Sequence, residues 1–279
     1  MKLLFLCLLA FGCGTEPSPK PRPMPIPRPI PKPKPKPKPV PKPEPKPVLD
    51  SCVQPGKTYR VRRGQYKGRG MWLRPDADCK AVLVAGNNGT GAPSMYYAQE
   101  AQALATAGFA VVWPENPQTG SGKTCMEGLE WGFRQPYILQ DRYGVQGHSQ
   151  GGSATVVCGG LAARRWPDKK QSLIPNQAAS GMSRPDYAQV ARSVKGKSLF
   201  FNGTADSVVR ESWTQTLYNV TGGQKAWILG LRATHFNSSG WMKELSPLWH
   251  KYALFDDMEA KAKLDALGGA KWRWKNRIR

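Results

Sequence analysis

The chain of 279 residues is long enough for one large α/β domain or two small ones, and its 40% apolar residues can form a core. Its formal net charge of +22 favours anionic partners such as phospholipid, lipopolysaccharide or nucleic acid. Because no nucleic-acid recognition motif accompanies this charge, we expect no specific nucleic-acid partner.

The amino terminus, residues 1–12, is predicted to be a secretion signal, with a lysine followed by an apolar run too short to span a bilayer. Cys13 follows directly and resembles the cysteine of bacterial lipoproteins, which carries a diacylglyceryl group. The chain departs from that signal at Ala10, where the family prefers Leu, and simple cleavage after Gly12 remains an alternative. We expect an exported bacterial protein, held at the outer membrane by a lipid on Cys13, or located at the cell surface or in the periplasm.

Residues 13–48 are predicted to form an extended tether, because every odd position from 17 to 47 is proline. Such a run cannot form helix or sheet and favours polyproline II, which at ~3.1 Å per residue would reach ~100 Å. The interpretation as a spacer is favoured over a specific ligand. Its lysines and arginines also allow contact with anionic envelope polymers.

Residues 49–279 are predicted to form one catalytic domain in which short apolar runs alternate with helical segments. The predicted strands cover 58–62, 70–73, 80–85, 109–113, 143–147, 172–175, 198–202 and 225–229. The predicted helices cover 95–107, 125–133, 149–164 and 209–219, with closing helices from 245 onward. This alternation predicts the α/β class, with a mostly parallel central sheet and helices on both faces.

Four cysteines lie beyond residue 48, and an even count in an exported protein favours disulfides over free thiols. They allow three pairings. We favour Cys52 with Cys79 and Cys125 with Cys158, since the first would join the start of the domain to the strand hairpin and the second would join two helices. The spacing resembles no zinc site, and no metal is expected.

The pattern Gly147-x-Ser149-x-Gly151 lies between a predicted strand and a predicted helix. This is the context of a nucleophile elbow, in which a sharp turn exposes the serine hydroxyl and the glycines leave room for the turn. The N-terminal end of the following helix directs its N–H groups at the reacting centre. Ser149 is therefore the candidate nucleophile.

A nucleophilic serine needs a base and an orienting acid, and the chain has three histidines. His148 flanks the nucleophile, and its side chain is expected to point away from the serine hydroxyl. His250 lies in a predicted helix and is expected to be a surface or packing residue. His235 follows the last predicted strand and is the candidate base. Asp206 lies in a turn after the preceding strand and is the candidate acid.

An oxyanion hole needs two backbone N–H donors. Gln150 follows the nucleophile and should supply one. The loop 86–91, after the strand at 80–85, should supply the other, from Asn87 in the first place and Asn88 in the second.

Five stretches resemble the dienelactone-hydrolase-like branch of the α/β-hydrolases, which includes bacterial cutinases and poly(ethylene terephthalate) hydrolases. They are 86–91, 104–112, 147–152, 202–206 and 233–236. The resemblance covers residues of about 68–260 and includes the chain order of serine, aspartate and histidine. It implies an α/β-hydrolase fold with Ser149, Asp206 and His235 as the catalytic triad.

The chain departs from the polyester hydrolases of this family at the acyl pocket. Asn87 stands where they usually have an aromatic residue, Gln150 where they have Met, and the segment 179–182 where they have a pocket Trp. These differences predict a more polar pocket and a preference for short soluble esters over aromatic polyester film. The expected pocket residues are Asn88, Ser180, Gly181 and Phe236.

The resemblance and the triad together imply a serine carboxylic-ester hydrolase acting on short-chain or polymer-borne esters. With the predicted secretion signal we expect this enzyme to be exported, and we expect it to be a monomer. No metal or organic cofactor is expected. Two alternatives remain open. One is deacylation of, or acyl transfer to, an envelope polysaccharide by the same triad. The other is a non-enzymatic protein with a hydrolase fold that binds the envelope. Turnover of p-nitrophenyl esters would exclude this second alternative.

The expected lipidation of Cys13 can be tested by substitution. Cys13→Ser should release the protein from membrane fractions, because a diacylglyceryl group on this side chain would be the anchor. The matched control is Cys7→Ser, which changes a cysteine inside the predicted signal. Fractionation followed by immunoblotting measures the distribution, and a Cys13→Ser protein that stays with membranes after a high-salt wash would contradict the anchor.

Overall fold

A computed structural model of the protein describes residues 50–116, 120–179, 185–267, 269 and 271–278. The predicted secretion signal, Cys13 and the proline-rich tether lie outside these residues, as do Ser180 and Gly181. The described residues include nine strands: β1 (Val61–Tyr66), β2 (Gly70–Pro75), β3 (Ala81–Asn87), β4 (Phe109–Trp113), β5 (Ile138–His148), β6 (Lys170–Asn176), β7 (Lys197–Gly203), β8 (Gln224–Gly230) and β9 (Trp272–Asn276).

They also include seven α-helices: α1 (Ala98–Thr106), α2 (Lys123–Phe133), α3 (Gln150–Arg165), α4 (Pro185–Arg192), α5 (Glu211–Val220), α6 (Ser238–Phe255) and α7 (Met258–Ala266). A short 3₁₀ turn, Ser94–Tyr97, leads into α1. No helix within the described ranges is long and apolar enough to cross a membrane.

The strands form one sheet in the order β1-β2-β4-β3-β5-β6-β7-β8-β9. Pairing is parallel from β4 through β3 and on to β8, and antiparallel at both ends, where β1, β2 and β9 lie. The expected α/β class with a mostly parallel sheet is confirmed. The parallel strands β5, β7 and β8 end at the same edge of the sheet, which brings the loops that follow them together.

Helices cover both faces of the sheet, as β3 illustrates. Val82 and Val84 pack in a cluster with residues of α1 and α6, whereas Leu83 and Ala85 pack in a cluster with residues of α2 and α3. Successive side chains of a strand point to opposite faces, so a strand buried on both sides must be apolar at every position. Each such side chain that is fully buried contributes roughly 1.5–3 kcal/mol.

Both favoured disulfides are present. Cys52 pairs with Cys79 at a Cα–Cα distance of 5.2 Å, which joins the segment before β1 to the segment between β2 and β3. Cys125 pairs with Cys158 at a Cα–Cα distance of 6.1 Å and joins α2 to α3. The second pair links α3, the helix that follows Ser149, to its neighbour α2 on the same face of the sheet.

The secondary structure differs from the prediction mainly near the carboxyl terminus. Helix α6 begins at Ser238, not near Leu245, and Pro247 lies inside it. Proline is best tolerated in a first helical turn, so its place in the third turn of α6 is unusual. Strand β9 and helix α4 were not predicted. In β9 the buried Trp272 alternates with exposed Arg273, a period-2 pattern too short to stand out.

His250 belongs to a buried polar network in the core, which excludes the surface alternative. Its Nε2 lies 3.0 Å from Oε1 of Gln146 and its Nδ1 lies 2.8 Å from Oγ of Ser172. The Gln146 amide in turn donates to Glu100 at 2.6 Å. Burial lowers the pKa of His250 to about 3 and raises the pKa of Glu100 to about 8, so both side chains are neutral near pH 7.

Candidate active site

Ser149 occupies a sharp reversal of the backbone between the end of β5 and the start of α3. Its φ and ψ are 58° and −120°, which is unusual for a residue with a side chain. The Ser149 N–H donates to the Asn176 carbonyl at 3.0 Å, and the Ser149 carbonyl accepts from the Ala179 N–H at 3.0 Å. Such a conformation costs about 1–3 kcal/mol and persists because neighbouring groups hold it.

The glycines of the motif are required by close packing. A Cβ atom on Gly147 would lie 2.5 Å from the Gly151 carbonyl oxygen, and one on Gly151 would lie 2.3 Å from the Asn87 carbonyl oxygen. Contacts this short are not tolerated, so only glycine fits at either position. The nucleophile turn is therefore packed directly against the end of β3.

The three predicted catalytic side chains meet at this turn. The Oγ of Ser149 lies 3.0 Å from Nε2 of His235, and Nδ1 of His235 lies 2.9 Å from Oδ2 of Asp206. The side chains of His235 and Asp206 are 5% and 1% exposed, so water competes little with their contact. A carboxylate only accepts hydrogen bonds, so Nδ1 carries the proton and Nε2 is free to accept the serine proton.

The Asp206 carboxylate is held by its own turn and by the neighbouring loop. Its Oδ1 accepts from the backbone N–H groups of Val208 at 2.8 Å and Val209 at 2.9 Å, which leaves Oδ2 for the histidine. The Ala205 N–H donates to the carbonyl of Ala233, two residues before His235, at 3.0 Å. The acid turn after β7 and the base loop after β8 are thus bonded to each other.

A cleft of about 440 Å³ opens over Ser149 and His235. Three exposed apolar side chains form its rim, since Tyr96, Val208 and Phe236 are 43%, 46% and 70% exposed. Ala92 and Pro93 and the backbone of the loop 89–91 complete the wall. The catalytic groups therefore lie at the base of a mainly apolar depression, in which the carbonyl of a bound substrate could reach the serine.

Phe236 lines the cleft as predicted, but Asn88 does not. Asn88 is fully buried, and its Oδ1 accepts from Nε1 of Trp113 at 2.7 Å. The Asn87 side chain is also buried and donates to the Gln146 carbonyl at 3.2 Å. Buried amides need hydrogen-bond partners, which both find within the protein. The side chains of Asn87 and Asn88 therefore do not line the described part of the cleft, whose wall is mainly apolar.

The loop 86–91, which was expected to supply an oxyanion donor, also differs in detail from the prediction. Gln150 is the first residue of α3, so no residue of its own helix can accept from its N–H, and this N–H remains available. Asn87, in contrast, belongs to β3 and does not line the cleft. Gly89 and Thr90 take its place there, with an ideal Cβ on Gly89 only 3.4 Å from Cβ of Ser149.

His148 is a site residue that the sequence reasoning set aside. Its ring lies 4.5 Å from the ring of His235, centroid to centroid, and is 5% exposed. Burial, followed by the nearby His235, lowers the pKa of His148 to about 4, so the ring is neutral at physiological pH. Tyr97 and Gln177 contact its two nitrogens. Only its position beside the nucleophile could have suggested this, since the partners come from distant segments.

The close approach of Gly89 to Ser149 can be tested by adding a methyl group at Gly89. A methyl group there would lie 3.1 Å from the Tyr97 hydroxyl oxygen and 3.4 Å from Cβ of Ser149. We expect Gly89→Ala to fold with nearly unchanged thermal stability, because these contacts are tight but not prohibitive. Turnover of p-nitrophenyl acetate should fall about tenfold, since small displacements of reacting groups are costly.

The matched control for this change is Gly64→Ala in β1, where an added Cβ would meet nothing closer than 3.5 Å. This variant should retain the wild-type rate. A Gly89→Ala protein that is folded and as active as Gly64→Ala would contradict the placement of this loop over the serine.

No protein-family model matches this chain, and no curated protein matches it significantly.

Proposed function

We propose that this protein is a serine carboxylic-ester hydrolase of the α/β-hydrolase superfamily. One observation carries the proposal, which is the hydrogen-bonded series from Ser149 through His235 to Asp206, with distances of 3.0 and 2.9 Å. The serine lies at a strand–turn–helix junction, and the acid and base follow it along the chain in the order used by α/β-hydrolases. The triad is recognised by this geometry and these roles.

The reaction follows from the contacts at the triad. Nε2 of His235 accepts the proton of the Ser149 hydroxyl as Oγ attacks the ester carbonyl. The Asp206 carboxylate accepts the Nδ1–H and stabilises the imidazolium that forms. The imidazolium then protonates the departing alcohol, which leaves an acyl group on Ser149. Water, deprotonated by the same histidine, releases the acid and restores the serine.

The tetrahedral oxyanion needs two donors, each worth about 3 kcal/mol in the transition state. The N–H of Gln150 is the first. In the cleft loop the N–H of Gly89 already donates to the Tyr97 hydroxyl at 2.7 Å. We therefore assign the second donor to the N–H of Thr90, in place of Asn87.

The apolar rim supports esters whose acyl or alcohol group is itself apolar. Tyr96 and Phe236 are large and exposed, and covering them with substrate would recover part of the roughly 1.5–3 kcal/mol available from each side chain. The open depression accommodates a short soluble ester or an ester group within a polymer.

Export and anchoring complete the proposal. The two disulfides are compatible with an oxidising compartment outside the cytoplasm. We propose that residues 1–12 direct export, that a lipid on Cys13 holds the protein at the bacterial outer membrane, and that residues 13–48 separate the catalytic domain from the membrane. The basic tether would contact anionic envelope polymers, and the enzyme would act as a monomer without a cofactor.

Ester turnover by purified variants tests the function. Ser149→Ala should lower kcat on p-nitrophenyl butyrate by about four orders of magnitude or more, because the acyl-enzyme cannot form. Asp206→Asn should lower kcat about 10⁴-fold, because the histidine would adopt the wrong tautomer.

Ser153→Ala is the matched control, since Ser153 is a buried serine one turn further along α3 whose hydroxyl has no hydrogen-bond partner among the described residues. It should retain activity within about twofold, because the change removes a hydroxyl that makes no hydrogen bond among the described residues and leaves the triad intact. Wild-type rates in Ser149→Ala, with protein freed of contaminating esterases, would refute the mechanism.

A further inference from the structure

A series of side chains crosses behind the triad and joins the cleft loop to the base loop. The N–H of Gly89 donates to the hydroxyl oxygen of Tyr97 at 2.7 Å, and that hydroxyl lies 3.4 Å from Nδ1 of His148. On the other side of the ring, Nε2 of His148 lies 3.2 Å from Oε1 of Gln177. The Gln177 amide then donates to the carbonyl of Thr234 at 2.9 Å. We call this series the Tyr97–His148–Gln177 chain.

The direction of each hydrogen bond can be assigned from the Gln177 end. Nε2 of Gln177 donates to the Thr234 carbonyl, so the atom facing His148 is the amide oxygen, which only accepts. Nε2 of His148 must therefore carry the proton. Nδ1 of the neutral ring is then an acceptor, and it accepts a hydrogen bond from the Tyr97 hydroxyl. The tyrosine oxygen remains free to accept from Gly89.

The environment of His148 keeps this arrangement in place. The ring is buried and lies against the ring of His235, so a positive charge on His148 would be desolvated and would repel the imidazolium formed during catalysis. Gln177 is fixed in turn, because its backbone N–H donates to the Phe201 carbonyl at 2.7 Å. Tyr97 is also fixed, since its ring stacks on Trp113 with centroids 4.8 Å apart.

We propose that His148 is a positioning residue which, as the neutral Nε2–H tautomer, holds the cleft loop at Gly89 and the base loop at Thr234 in register with Ser149. The proposal rests on the proposed serine-hydrolase function. Its two ends are Gly89, which lies over the nucleophile, and Thr234, which immediately precedes the catalytic His235. Loss of the hydrogen bond at Gly89 or at Thr234 would let one of the reacting groups shift. A shift of about 1 Å can lower the rate as much as 100-fold.

Nitrogen-15 NMR of the unaltered protein tests the assignment without any substrate. His148 should give the signals of a neutral imidazole protonated at Nε2 at pH 7, and His235 should be protonated at Nδ1. Ser149→Ala identifies the His235 signals, because this change should perturb them more strongly than the signals of His148. An Nδ1–H tautomer or an imidazolium at His148 at pH 7 would overturn the proposal.

Kinetics test the positioning role. Tyr97→Phe removes the hydroxyl that links Gly89 to His148, and should lower kcat on p-nitrophenyl acetate about tenfold or more while KM changes less than about twofold. Gln177→Met removes the amide that links His148 to the Thr234 carbonyl, and should lower kcat by a similar factor with a similarly small change in KM. The matched control is Tyr143→Phe, another buried tyrosine whose hydroxyl accepts one hydrogen bond, from Gln171 at 2.8 Å. It should stay within about twofold of wild type.

The outcomes separate this proposal from the function on which it rests. If the wild type hydrolyses no ester, the serine-hydrolase function fails and the positioning role fails with it. If the wild type is active and folded Tyr97→Phe and Gln177→Met are as fast as Tyr143→Phe, only the positioning role fails. If Tyr97→Phe does not fold, Gln177→Met and the tautomer of His148 in the wild type decide the question.

Discussion

The backbone reversal at Ser149 is the constraint on which the rest of the site depends. A residue with a side chain is held at a φ of 58° only because its N–H and its carbonyl are bonded to Asn176 and Ala179, at the end of β6 and just beyond it. The same reversal explains why the flanking positions are glycine, since the turn rests on the carbonyl oxygen of Asn87. The hydroxyl is thereby fixed at the carboxyl edge of the sheet, and α3 begins directly behind it.

The parallel sheet brings the other two residues of the proposed triad, Asp206 and His235, from distant parts of the chain. Ser149 and His235 are 86 residues apart, yet their loops follow strands that end at the same edge. β7 and β8 are neighbours, so the turn with Asp206 and the loop with His235 bond to each other independently of their contact with the serine. The acid and base thus form one preorganised unit, and preorganised dipoles are the main source of electrostatic stabilisation in catalysis.

Much of this arrangement could be predicted from the sequence, because it depends on local signals. The strand–turn–helix context at Ser149 is present as predicted, and Asp206 and His235 lie in loops at one edge of the sheet, as the alternation of strands and helices indicated. The cysteine count and positions led to the correct disulfides. The direction in which individual side chains point was harder to predict from the sequence. Asn87 and Asn88 were expected to face the cleft, but their amides find partners inside, at Gln146 and Trp113.

The contacts around His148 could not be predicted for a related reason. Tyr97 lies 51 residues before it and Gln177 lies 29 residues after it, and neither stands in a recognisable motif. Their meeting depends on how the 3₁₀ turn before α1, the end of β5 and the residue after β6 pack together, which no local pattern encodes. The edge strand β9 was missed because five residues are too few for a period of two to stand out.

The most direct test of the account is covalent labelling with a fluorophosphonate, which reacts with an activated serine in place of an ester. The native protein should take up one phosphonyl group per chain, and peptide mass spectrometry should locate it on Ser149. Heat-denatured protein should remain unlabelled, because activation depends on the folded contact with His235. An absence of labelling in the native protein, or an adduct on a different serine, would contradict the central claim that Ser149 is the nucleophile.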